Sequence, residues 1–178
     1  MLHKDFREIM STELISITGG IVAGLILTFA TNKIEMVPGL LILLPGFLEM
    51  RGNISGSLAS RLSAGLHVGA LRPRYEKNRI LHGNIVATFV LAIMISFFLG
   101  LMAFYVSLEL FGISNVNIVY VAVIAGLLAN FIEIPLTILT TFWLFRRGYD
   151  PNNIMGPYVT TTGDIISIVA LLIALAVI

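Results

Sequence analysis

Three acidic residues stand within segments that are otherwise apolar enough to cross a membrane: Glu49, Glu133 and Asp164. An acidic side chain there costs on the order of 3 kcal/mol on insertion scales, and it usually faces a bundle interior or a water-filled path. Glu133 and Asp164 have no obvious basic partner in any predicted span, so we expect both to be functional. Glu49 lies two residues before Arg51, so an ion pair or a snorkelling position near the interface is an equal alternative to a ligand role.

Each acid belongs to a row of polar residues that repeats with the helical period. The rows are Glu49, Asn53, Ser57 and Ser60; Asn130, Glu133, Thr137 and Thr140; and Thr160, Asp164 and Ser167. Three such faces packed together would line a path rich in carboxylate, amide and hydroxyl oxygen. Hard divalent cations prefer these ligands, and Mg²⁺ keeps several waters while binding through one or two carboxylates. For each Ser or Thr hydroxyl, a hydrogen bond to its own helix or to a neighbouring helix is an equal alternative to a ligand role.

The overall composition is that of a membrane protein. Apolar residues make up 57% of the 178 positions and charged residues 12%, with a mean hydropathy of +0.96. A soluble domain carries roughly twice that charged fraction, so most of the helical surface must face lipid. The net charge of +1 gives no indication of nucleic-acid binding. The chain has no cysteine, which excludes thiolate metal sites, and its three histidines lack ligand spacing.

Four apolar stretches are long enough to cross about 30 Å of hydrocarbon. They cover approximately Leu14–Thr31, His82–Glu109, Val119–Phe145 and Tyr158–Ile178. A fifth, less regular segment begins near Met36, contains two prolines and continues as a small-residue stretch to about Gly69. The sequence therefore predicts an all-α membrane protein of five transmembrane helices, with a broken or kinked second helix that faces the interior. Residues 1–178 form one domain.

The basic residues predict the orientation. With alternating spans, ten of the eleven fall on one side and only Lys33 on the other. The ten are Lys4, Arg7, Arg51, Arg61, Arg72, Arg74, Lys77, Arg79, Arg146 and Arg147. By the positive-inside rule the N-terminus is cytoplasmic and the C-terminus external, in a multi-pass protein of the cell membrane.

Two motifs resemble signatures of the MgtE superfamily of magnesium transporters. LPGFLEMRGN at residues 44–53, followed by LASRLS at residues 58–63, looks like the family's P-A-L…G-N…A-S-R-L pattern. RRGYDP at residues 146–151, followed by GPYVTTTGD at residues 156–164, is similar to the loop and start of the family's last helix. The resemblance is closest to the branch shared with the animal solute-carrier magnesium transporters.

The resemblance implies a homodimer in the lipid bilayer, with a cation path between subunits lined by the second and fifth helices. The resemblance further implies that the transported ion is Mg²⁺, with Mn²⁺ and Co²⁺ as further candidates. The family's ion-holding aspartate corresponds to Asp164, and its Gly-Asn motif to Gly52-Asn53. Together with the polar rows, this gives Asp164, Asn53, Thr160, Glu133 and Glu49 as candidate metal ligands; Glu133 rests on the rows alone.

The chain departs from the bacterial family members, which carry large cytoplasmic regions with magnesium-sensing CBS modules. Only about thirteen residues precede the predicted first span, so we expect no cytosolic regulatory domain. The animal relatives join two copies of the membrane unit, and this chain resembles a half-transporter that must pair.

Three other functions compete with a Mg²⁺ channel or transporter. A Na⁺- or H⁺-coupled exchanger could use Glu133 as its coupling site. An intramembrane aspartyl protease would need glycine at the position of Thr161 in its G-x-G-D motif, so we do not expect an enzyme. A purely structural membrane subunit does not explain two unpaired intramembrane acids.

Overall fold

The computed structural model describes residues 2–35 and 37–178, leaving aside the side chains of residues 2, 32, 33, 35 and 38. Within these ranges the chain forms five α-helices and no β-strand. The helices are α1 (Leu2–Glu35), α2 (Pro38–His67), α3 (Arg79–Phe111), α4 (Asn117–Arg146) and α5 (Pro151–Val177). The all-helical prediction is confirmed.

Helices α3 and α5 begin before their predicted apolar stretches because a polar side chain caps each of them outside the apolar run. The Asn78 side chain accepts hydrogen bonds from the backbone N–H groups of Ile80 and Leu81 and so begins α3. Asp150 begins α5 in the same way, followed by Pro151 at the first helical position. Gly112 ends α3 with φ of 66°, a left-handed conformation that glycine adopts without a steric penalty.

The second span differs most from its prediction. The helix α2 runs over Pro38–His67 without a break, although it contains Pro45. Of the two predicted forms, broken or kinked, the broken form is therefore wrong and the kink stays a prediction. The expected start near Met36 lies outside the described residues. Four helices are long and apolar enough to span a membrane, namely α1, α3, α4 and α5. α2 does not reach that level in the described residues.

Two of the ten basic residues assigned to one side lie inside α2. Arg51 and Arg61 are helical, and Arg51 is only 1% exposed, so neither lies in the connection between α2 and α3. The remaining eight still gather at one end of the bundle. There, the Lys4 Nζ donates a hydrogen bond to the Gly148 carbonyl oxygen at 2.9 Å, which joins the start of α1 to the α4–α5 connection. The side chain of Lys33 is outside the described set.

The packing places α2 and α5 against most of the other helices. α2 contacts all four others, while α5 contacts α1, α2 and α4. Two glycines allow close packing of α3 and α4, because a Cβ at Gly100 would lie 2.9 Å from Val119 Cα and one at Gly126 would lie 2.9 Å from Ser96 Cβ.

A buried polar layer separates two apolar clusters. One cluster includes Phe47 and Ala125, and the other includes Leu58 and Phe142. Between them, α2 and α4 bring buried polar side chains together, of which Arg51 is the largest.

Candidate functional site

Four of the five predicted ligands line one cavity between α2 and α5. The cavity has a volume of about 390 Å³. It is lined by Pro45, Leu48, Glu49, Gly52, Asn53, Gly156, Thr160 and Asp164. The helical rows predicted for these two segments therefore meet across the α2–α5 contact, and we refer to this cavity as the α2–α5 groove.

Close approach of the two helices depends on Gly52. A Cβ added there would lie 3.3 Å from Thr160 Oγ1 and 3.8 Å from Thr160 Cα, so α5 packs directly against the backbone at this position. Within the groove, Asn53 Nδ2 donates to Glu49 Oε1 at 3.0 Å. Thr160 Oγ1 donates to the Gly156 carbonyl oxygen at 3.1 Å, which leaves its lone pairs free for a cation or water.

The groove opens onto the outer surface of the five-helix unit. Glu49, Asn53 and Thr160 are exposed, and Asp164 is half-buried. No ion pair among the described residues involves Glu49 or Asp164. The described side chains also contain no group of three Asp, Glu, His or Cys residues placed to hold a metal ion. The described part of the five-helix unit therefore presents an open acidic surface rather than a closed metal cage.

Glu133 lies outside the groove, and the expectation that it lacks a basic partner is wrong. Its Oε1 accepts a hydrogen bond from Arg51 Nε at 3.2 Å, and its Oε2 lies 2.9 Å from Arg51 Nη2. The second contact is close enough for an ion pair but is not aligned as a hydrogen bond. Arg51 thus pairs with Glu133, and the alternative of an ion pair with Glu49 is not realised.

The remaining members of the polar rows divide between surface and core. Ser57 and Ser60 are exposed, and Ser57 Oγ accepts a hydrogen bond from Arg61 at 2.9 Å. Thr140 donates to the Tyr158 hydroxyl at 3.3 Å. Thr137 and Ser167 are buried. None of these hydroxyls lines the groove.

Sequence reasoning missed two members of the buried polar layer, Arg51 and Ser55. The signal for Arg51 was present, because an arginine in mid-helix among apolar residues needs a buried acidic partner. Its partner is 82 residues away in the chain, a distance at which spacing carries no information. Ser55 donates to Glu133 Oε2 at 2.7 Å, and no spacing rule separates it from an ordinary packing serine.

A family model matches the part of the chain that contains the residues of the groove. The family model of MgtE, described as a divalent cation transporter, matches residues 44–174, which include nearly all of α2 and α5. The chain belongs to the MgtE family. Because this is a family of transporters, the chain is not an enzyme, and the aspartyl protease alternative is removed.

Curated relatives place this MgtE-family chain near the animal solute carriers. It is 31% identical over 165 residues to solute carrier family 41 member 3 of Rattus norvegicus, a match that covers 87% of this chain and 35% of the relative. It is 27% identical to member 2 of Mus musculus over 86% of this chain and 28% of the relative. It is 26% identical to member 2 of Homo sapiens, over 96% of this chain and 32% of the relative. The chain thus spans about a third of the length of these relatives. Its membrane-spanning helices and these relatives together establish a multi-pass membrane protein.

Proposed function

We propose that this chain carries Mg²⁺ across the membrane as a partly hydrated ion, along the α2–α5 groove. The observation that supports this most is the gathering of Glu49, Asn53, Thr160 and Asp164 around one cavity. Mg²⁺ dehydrates reluctantly and is typically bound through one or two carboxylates and several waters. Two carboxylates, an amide and a hydroxyl in a cavity of about 390 Å³ suit such an ion and leave room for its water. Mn²⁺ and Co²⁺ are further candidate ions for the same path.

The working unit in this proposal is a homodimer. An acidic side chain facing lipid costs on the order of 3 kcal/mol, and this groove carries two of them on an outer surface. A second copy related by a two-fold axis would cover the groove with the same polar surface, and closed two-fold symmetry is the commonest form of oligomer. The ion path would then run between subunits, with five spans in each and the N-terminus in the cytoplasm.

In this path Asp164 contributes most to binding, with Glu49, Asn53 and Thr160 beside it. Removing a divalent ion from bulk water requires charged ligands, because neutral oxygens alone compensate poorly. Two copies of Asp164 across a two-fold axis would supply two carboxylates to one ion through its waters.

Mg²⁺ flux into liposomes that contain only this protein tests the proposal. Asp164→Asn keeps the side-chain shape and removes two charges per dimer, so we expect flux to fall roughly tenfold or more while the protein still assembles. Glu109→Gln is the matched control, because Glu109 is exposed near the end of α3 and does not line the groove. Normal transport by Asp164→Asn would refute the proposed path. Flux that persists without a Na⁺ or H⁺ gradient would favour a channel over a coupled exchanger.

A further inference from the structure

The arginine at the centre of the bundle is held by two side chains, those of Asn130 and Glu133. Arg51 is 1% exposed, and its Nη1 donates to Asn130 Oδ1 at 2.9 Å. Its Nε and Nη2 face the two oxygens of Glu133, and Ser55 donates to the second of these oxygens. Both oxygens of Glu133 are therefore engaged by protein donors. This carboxylate has its positive partner within the subunit and is not presented to a passing ion.

The buried pair lies directly behind the groove. Consecutive residues on an α-helix are about 100° apart, so Arg51 points away from Glu49 and Asn53, each two positions distant. On α5, a Cβ added at Gly163 would lie 3.5 Å from Glu133 Oε1 and 3.8 Å from Arg51 Cβ. Gly163 immediately precedes Asp164 in α5. The Arg51–Glu133 ion pair therefore lies against the inner sides of α2 and α5, and the outer sides of the same two helices line the groove.

An unpaired positive charge at this position would act on a cation in the groove. Across about one helix diameter, roughly 10 Å, a unit positive charge weakens binding of a divalent cation by about fourfold at the dielectric constant of water. At the value of about 20 that applies near a protein surface, the loss is roughly 300-fold. Salt screens a buried charge poorly. Neutralising the Arg51 charge therefore strengthens the binding of a divalent cation in the groove.

We propose that Glu133 is a positioning residue that neutralises Arg51, and that it affects the transported cation only through Arg51. This assignment rests on the proposed function of the groove. It replaces both earlier expectations for Glu133, which were a metal ligand and an ion-coupling site. It also predicts a specific pattern: removal of Glu133 alone harms cation binding, whereas removal of both partners together restores it.

The pattern is tested with Glu133→Gln, Arg51→Gln and the double variant, comparing the Mg²⁺ concentration at half-maximal flux in phosphatidylcholine–phosphatidylglycerol liposomes. Glu133→Gln should raise this concentration roughly tenfold or more, and the double variant should return to within about threefold of the unaltered protein. Loss of one partner of a buried pair leaves an uncompensated charge, whereas replacement of both is often neutral. Glu76→Gln is the matched control, because Glu76 pairs with Arg74 at 3.0 Å in an exposed loop, and it should change nothing.

Each outcome decides the question. If the folded double variant remains as impaired as Glu133→Gln, or if Glu133→Gln leaves half-saturation unchanged, the proposal is overturned. If Glu133→Gln cannot be purified in a folded form, the double variant alone tests the proposal. It lacks the Glu133 carboxylate, and the proposal still requires it to transport Mg²⁺ with nearly unchanged half-saturation. A purely structural role would lower the amount of folded protein or the maximal flux without moving half-saturation. Absence of Mg²⁺ flux in the unaltered protein would instead refute the proposed function itself.

Discussion

Gly126→Ala should destabilise the bundle at the crossing of α3 and α4. A Cβ at this position would collide with Ser96 Oγ and would lie 2.9 Å from Ser96 Cβ. Ser96 is fully buried and its hydroxyl donates to the Ala92 carbonyl oxygen at 2.7 Å. Rotating the hydroxyl away would break that bond and would not relieve the second collision. The two helices must therefore separate.

The expected cost follows from overpacking in a close-packed interior, which is about 1–3 kcal/mol. For a chain of this length that corresponds to a fall in the melting temperature of roughly 2–12 °C. The measurement is the fraction of protein that stays monodisperse in mild detergent after heating. Gly83→Ala serves as control, because nothing lies within 4 Å of a Cβ there, and it should be neutral or slightly stabilising since alanine favours helix.

A second substitution locates the effect. Ser96→Gly in the Gly126→Ala background removes both colliding atoms, so most of the lost stability should return, less about 1 kcal/mol for glycine inside a helix. If Gly126→Ala melts like the unaltered protein, Gly126 and Ser96 do not approach each other this closely. If the double variant is no better than Gly126→Ala, the collision with Ser96 is not the cause.

Two further predictions concern topology and assembly. Because the native chain has no cysteine, single cysteines at Ser11 and Asn115 can be labelled selectively, and we expect them to react from opposite sides of the membrane. Labelling of both from the same side would contradict the orientation. A cysteine at Asn53 should cross-link two chains across the groove, whereas one at Met102, exposed on α3, should not; efficient cross-linking at Met102 alone would place the dimer contact elsewhere.

Most of the helices could be predicted from the sequence, because segments that contact lipid must be apolar along most of their length. Hydropathy identified α1, α3, α4 and α5 but placed several of their ends too far inward, since capped turns such as those at Asn78 and Asp150 continue the helix in polar sequence. The helical period placed Glu49 and Asn53 on one face and Thr160 and Asp164 on another, and the family resemblance implied that the second and fifth helices line one path. Glu133 shares that periodicity, and its separation from the groove depends on the rotation of α4 relative to α2. Rotation is set by long-range packing that spacing within one helix does not encode.

The position of α1 has a consequence for the order of biosynthesis. Its described contacts are mainly with α5 and secondarily with α2. The hydrogen bond between Ser16 and Thr161 joins residues 145 positions apart, and Glu8 accepts one from Asn153 over the same separation. α1 is synthesised before α5, its main contact, so it is first surrounded by lipid in the bilayer. Its surface is largely apolar and exposed, which permits this. The five-helix unit can close only when α5, the helix that carries Asp164, has been inserted.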